Sequence, residues 1–142
     1  MNLPRRPRLR ALALAAALPF VAACENSATS MMIDGREHAL VLVREQNMFW
    51  KDEVTQYILA SRLPVCQRRV KIHPGRKAME PIEVYEAGDR LYALRQGAQW
   101  YLASTESCAV QDWAKPADQE PGAALGRFVK GADGIAFVPA PK

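Results

Sequence analysis

From Met31 onward, short apolar runs alternate with turn residues every few positions, the pattern of strands rather than of amphipathic helices. Met31-Met32-Ile33 runs into Asp34-Gly35, a favoured hairpin pair. His38 to Val43 is apolar on both alternating faces, which predicts a central strand buried on both sides. Residues 47–63 carry two periods at once. Trp50, Val54, Tyr57, Ile58 and Ser61 follow helical spacing behind a possible Asn47 cap, which leaves a short helix near residues 48–62 open. The run Val54 to Leu59 is rich in β-branched and aromatic side chains and favours a strand from Glu53 to Ser61. Pro64 holds Leu63 extended, and a strand from Cys66 to Ile72 stops before His73-Pro74-Gly75.

The second half reads as a meander. Ile82–Tyr85, Leu91–Leu94 and Gln99–Ala103 are separated by turn residues at Ala87-Gly88-Asp89 and Gln96-Gly97. Ser107 to Trp113 is a further candidate strand that would bring Cys108 into the sheet. Lys115 to Gly126, rich in Pro, Ala and Gly, reads as a loop or crossing segment. Arg127–Val129 and Ile135–Val138 flank Gly131-Ala132-Asp133-Gly134 as a last hairpin. Seven or eight short strands predict a mainly β fold, a small antiparallel sandwich or barrel. Adjacent strand residues face opposite ways, so Trp100 and Tyr101 cannot both enter one core, and one of them is predicted to face outward.

Before Met31 the pattern changes. Arg5, Arg6, Arg8 and Arg10 form a basic segment without acidic residues, and Ala11 to Ala23 is apolar except for Pro19. That run is too short for the ~20 residues of a membrane-spanning helix and reads as an export signal. It ends on Val21-Ala22-Ala23-Cys24. This segment resembles the lipobox of bacterial lipoprotein precursors, where an aliphatic and two small residues precede a cysteine whose thiol takes a diacylglycerol. The resemblance covers residues 1–24 only. It implies cleavage before Cys24, lipidation of Cys24 and attachment to the cell envelope. Glu25 in the next position, in place of aspartate, implies the outer membrane, facing the periplasm. The expected organisation is a signal at 1–23, a lipidated cysteine and short tether at 24–30, and a single β-rich domain at 31–142. The polar stretch Glu25 to Ser30 would span at most roughly 20 Å, which keeps partners at or near the bilayer.

Removing the signal changes the charge. Of 19 Lys+Arg, four lie in the signal, which leaves 15 against 15 Asp+Glu. The basic balance belongs to the precursor, and a nucleic-acid partner loses its support. With Cys24 acylated, Cys66 and Cys108 remain, and in an oxidising compartment they are expected to pair. A pair of free thiols, or zinc held by Cys66, Cys108 and His73 or His38, is the alternative. No C-x-x-C or H-x-x-x-H spacing supports zinc, so neither a metal nor a cofactor is implied.

No catalytic motif stands out. There is no G-x-S-x-G elbow, no phosphate-binding glycine loop and no H-E-x-x-H. His38 reads as a strand-edge residue and His73 as a turn residue. Asp52-Glu53 and Glu83/Glu86 are carboxylate pairs of the kind common on exposed strands. The sharpest local feature is a charge island. Between Val54 and Met79 there is no acidic residue, while Arg62, Arg68, Arg69, Lys71, Arg76 and Lys77 are basic. Arginine donates two parallel hydrogen bonds to phosphate or carboxylate, so the island is a candidate site for lipid or lipopolysaccharide phosphates or for an acidic protein face. The expected function is a membrane-anchored, non-catalytic binding module. An envelope enzyme acting on glycan or lipid, and a binding protein similar to the small lipoprotein inhibitors of lysozyme, are the alternatives.

Overall fold

The computed structural model describes residues 25–142, so the expected signal and the expected lipidation of Cys24 lie outside the described residues. Eleven strands and no helix make up its regular structure, arranged in two antiparallel sheets. In the first, β1 (Asn26–Asp34), β2 (His38–Glu45), β3 (Glu53–Arg62) and β4 (Cys66–Lys71) follow in order. A two-residue strand, β5 (Gly75–Arg76), pairs with the start of β3. The second sheet comprises β6 (Ile82–Gly88), β7 (Leu91–Gln96), β8 (Gln99–Ser104), β9 (Ala109–Asp112), β10 (Ala123–Gly131) and β11 (Gly134–Pro139), in the order β11-β10-β6-β7-β8-β9. The fold is therefore sandwich-like, which decides between the two predicted architectures.

Period-two alternation sorts the side chains. Leu40 and Leu42 of β2 stand opposite Ala60 and Ile58 of β3 and point inward. They meet Ile82, Val84, Leu94, Tyr101 and Phe128 from the second sheet. Most of this core has no exposed surface, and a fully buried Leu, Ile or Phe stabilises by roughly 1.5–3 kcal/mol. Tyr101 is the inward member of its pair and Trp100 the outward one. Gly35 at the β1–β2 turn and Gly97 at the β7–β8 turn have φ of 55° and 56°, the left-handed conformation that glycine adopts without strain.

Cys66 and Cys108 are bonded, with Cα atoms 6.1 Å apart. Cys66 opens β4 and Cys108 precedes β9, so the bridge staples one sheet to the other and removes the sulfurs from any zinc site. Beside it, His38 Nδ1 lies 2.9 Å from Thr105 Oγ1, and both residues are buried.

Several expectations need correction. No helix forms near residues 48–62: Met48–Lys51 is a turn, and β3 takes the β-branched run. The stretch Glu25–Ser30 is not a tether. From Asn26 on it is the front half of β1, paired along Glu45, Arg44, Val43, Leu42 and Val41 of β2. Asn26, Ala28 and Ser30 are exposed while Ser27 and Thr29 are partly buried, so the strand alternates in burial without alternating in hydrophobicity. The domain thus begins before Met31. Cys108 stays outside the ladder, in a turn with φ of 52°. The strand β2 is central in its sheet, yet only one of its faces is fully buried.

Candidate functional site

The charge island does not assemble into one patch. Arg69 and Lys71 stand opposite Leu59 and Tyr57 and share their outward side, whereas Arg68 stands opposite Ala60, on the inward side at the sheet edge. Arg69 Nη2 lies 2.7 Å from Glu45 Oε1, and its guanidinium carbon sits 3.7 Å from the centre of the Tyr57 ring. The hydrogen bond that Arg69 donates to the Glu45 carboxylate raises its pKa. Arg62 pairs with Glu106 near the disulfide. Arg76 and Lys77 lie at the opposite end of β3: Arg76 is 4.0 Å from Asp52, and Lys77 Nζ donates to the Phe49 carbonyl at 2.6 Å. Residues contiguous in sequence are spread over both faces and both ends because a strand turns successive side chains to opposite sides.

What β3 and β4 do build is an outward face. Val41 stands between Ser30 and Leu59, and Val43 between Ala28 and Tyr57, all on the solvent side of the first sheet. Val41, Val43, Tyr57 and Leu59 are only partly buried, and Met32 in the same sheet is half exposed. Arg69, Lys71 and Glu45 border the strip. Four contiguous apolar or aromatic side chains with a charged rim match the composition of a protein-binding patch. The signal was present in the sequence as apolar residues on both faces of β2, where it reads as burial rather than as a surface.

The outward face of the second sheet has the same construction and a different fate. Glu83, Arg95 and Trp100 line one row across β6, β7 and β8. After β9 the chain crosses back over this face before entering β10. Trp113 packs edge-on against Trp100 with ring centres 5.9 Å apart, and Trp100 also meets Tyr85 at 5.7 Å. Lys115 Nζ and the Arg95 guanidinium lie 5.2 and 5.7 Å from the Trp100 ring centre. The crossing lands at Gly122, where a Cβ would come within 1.8 Å of the Glu86 carbonyl oxygen. Ala93, outward in register, has no exposed surface. The Tyr85 hydroxyl donates to Glu83 at 2.9 Å, and burial is the main reason its pKa is raised. Beside this cover, Glu83, Tyr85, Gly126, Arg127, Val138 and Pro139 line an open groove of about 330 Å³.

A third feature is the end of the sandwich where β1 begins. Glu25 N donates to Gln46 Oε1 at 3.2 Å, and Gln46 N donates to the Glu25 carbonyl at 2.7 Å. The Glu25 carboxylate takes Arg44 Nε at 2.9 Å from the first sheet and Lys130 Nζ at 2.9 Å from the second. Arg44 has no exposed surface, and burial lowers its pKa while Glu25 opposes the shift. The residue that follows Cys24 is therefore fixed to both sheets by its backbone and its side chain.

The histidines and carboxylates do not converge. His38 opens β2, as expected, and is buried against Thr105. His73 is exposed and lines a polar hollow of about 320 Å³ with Arg76, Glu80, Gln96 and Gln99. Asp52 and Glu53 lie at the start of β3, whereas Glu83 and Glu86 lie on β6 of the other sheet. Among the described residues no three His, Cys, Asp or Glu side chains gather in a way that would hold a metal ion. No protein-family model matches the chain, and no curated protein or solved structure is significantly similar to it.

Proposed function

We propose that this chain is a lipid-anchored envelope lipoprotein whose β domain is a non-catalytic binding module, and that it takes a protein partner on the outward face of the first sheet. The observation that carries the reading is the partly exposed strip Val41, Val43, Tyr57 and Leu59 with Arg69, Lys71 and Glu45 at its rim. A charged rim selects a partner and orients it, while apolar burial at the centre supplies affinity. The basic island contributes through Arg69 and Lys71 alone, since Arg68 stands on the other side of the sheet. An acidic protein face suits this arrangement better than scattered lipid phosphates, because the cations border an apolar strip instead of converging on one point.

The anchor is supported by the lipobox at Cys24 and by the rigid hold on Glu25. Cleavage before Cys24 would leave the acylated residue one peptide bond from the folded domain. The partner would then lie beside the membrane, in the periplasm if the outer membrane is the site of attachment. A photoreactive amino acid at Leu59, introduced in living cells, tests the module directly. One stoichiometric crosslinked protein is expected, and Val43→Lys in the same chain should lower its yield at least about tenfold. A yield unchanged by Val43→Lys would remove the face from the account.

A further inference from the structure

The end of the sandwich that carries Glu25 also carries three consecutive exposed large apolar side chains, the longest such run among the described residues. Between β2 and β3, Met48, Phe49 and Trp50 are 42%, 44% and 65% exposed. They are not loosely held. Gln46, buried itself, donates from Nε2 to the Met48 carbonyl at 3.0 Å and to the Lys51 carbonyl at 2.6 Å. Lys51 N closes the turn on Met48, and Lys77 Nζ holds the Phe49 carbonyl. Phe49 and Trp50 pack edge to face, with ring centres 4.9 Å apart. A turn braced by four hydrogen bonds thus pushes three apolar side chains into solvent, where each costs free energy unless something covers it.

Gln46 is also the residue paired with Glu25 through both its backbone and its side chain. Cys24 precedes Glu25 in the chain, so one peptide bond links it to a residue hydrogen-bonded to the base of the turn. Lys51, Arg76, Lys77 and Lys130 stand around the same end, where Asp52 and Glu25 offset part of their charge. Apolar and aromatic tips ringed by lysine and arginine are the composition of a segment that sits at the boundary of headgroups and acyl chains.

We infer that the Met48–Lys51 turn is a second membrane contact: Met48, Phe49 and Trp50 enter the interface beside the acyl chains of Cys24, and the surrounding cations meet lipid phosphates. This rests on the lipid-anchor reading of Cys24. It adds that the domain does not swing on its anchor. Two contacts at one end hold the strands at a fixed tilt and present the first sheet's outward face sideways along the bilayer.

The test uses the mature protein purified from membranes and reconstituted into vesicles of phosphatidylethanolamine and phosphatidylglycerol, with or without brominated acyl chains. Intact mass is measured first. Trp50 is one of three tryptophans, and the other two lie on the second sheet's covered face. Brominated lipid is expected to quench part of the emission, and Trp50→Phe should reduce that quenching at least about fivefold with unchanged circular dichroism. An acylated mass with quenching that Trp50→Phe leaves unaltered overturns the second contact and spares the anchor. A Trp50 shielded from acrylamide but not quenched by lipid assigns the turn to a protein and overturns the contact too. An unmodified N-terminus overturns the anchor reading and this inference with it.

Discussion

The two outward faces of this sandwich begin alike and end differently. Each is a row of strand residues in which apolar side chains sit among charges: Val41, Val43, Tyr57 and Leu59 on the first sheet, Tyr85, Ala93, Leu102 and Trp100 on the second. On the second sheet the chain covers its own work. The segment after β9 crosses back, Trp113 packs on Trp100, and Gly122 seats against the Glu86 backbone. On the first sheet the described chain supplies no such cover. A sheet face that needs to be hidden within the monomer is given a loop to hide it. The face left open is the one available to another molecule, and for that reason the proposed partner belongs on the first sheet.

The comparison holds only while the two sheets stay in place, and the largest effect should come from releasing them. The Cys66–Cys108 bridge closes a loop with a sequence separation of 42 between the sheets. Replacing both cysteines by alanine should cost about 4 kcal/mol on the chain-entropy estimate. Urea unfolding of the oxidised protein and of the double variant measures this directly. A difference below about 1 kcal/mol would mean that the two layers are held almost wholly by their core.

Uncovering the second sheet comes next. Trp113→Ala removes the edge-to-face contact with Trp100 and the lid over Leu102, which with Trp113 and Pro121 lines a small hollow beneath the crossing segment. Trp113 is only partly buried, so the cost should be about 2 kcal/mol, short of the 3–5 kcal/mol of a fully buried aromatic. Thermal unfolding with this variant, alongside binding of a dye that reports exposed apolar surface, would show whether the second face then behaves like the first. No added dye binding would deny that the crossing segment is a cover.

Alkaline pH probes the same sealing with a smaller effect. Burial raises the pKa of Tyr92 and Tyr101 in the core and of Tyr85 under the cover. Each folded phenol holds its proton more tightly than the unfolded chain does. Stability from these groups is therefore fully present below the unfolded tyrosine value of about 10 and is lost as pH rises through the folded values. The urea midpoint should fall steadily above about pH 10 while tyrosine absorbance shows late ionisation. Tyr85→Phe should remove part of the slope. A midpoint flat across that range would mean that these phenols are as open to solvent as in the unfolded chain.

Much of this architecture is legible in the sequence. The meander from Ile82 to Ala103, the final hairpin and the Asp34-Gly35 turn follow from alternation and turn chemistry, and the cysteine pair follows from the expectation of an export signal. What was not legible has physical causes. Asn26 to Ser30 forms an edge strand by backbone pairing with β2, so its polar side chains leave no hydrophobic period to detect. Apolar residues on both faces of β2 look the same whether the second face meets a protein layer or lies open. The basic island was a feature of one dimension, and the pleat distributed it. The hold on Glu25 joins residues far apart in the chain, Arg44 and Lys130, which no local pattern brings together.

The finest distinction between the faces is a matched pair of substitutions. Val43 and Leu102 are both outward, partly buried and central in their sheets. Val43→Thr keeps the β-branched shape and places its hydroxyl where water can reach it, so its stability cost should stay at or below about 0.5 kcal/mol. Leu102→Thr places a hydroxyl beneath the crossing segment and shortens a side chain that the cover packs upon, for about 1–2 kcal/mol. Paired urea titrations at neutral pH resolve a gap of this size. Equal costs would mean that the two faces are equally dry, and the open character of the first sheet would go with them.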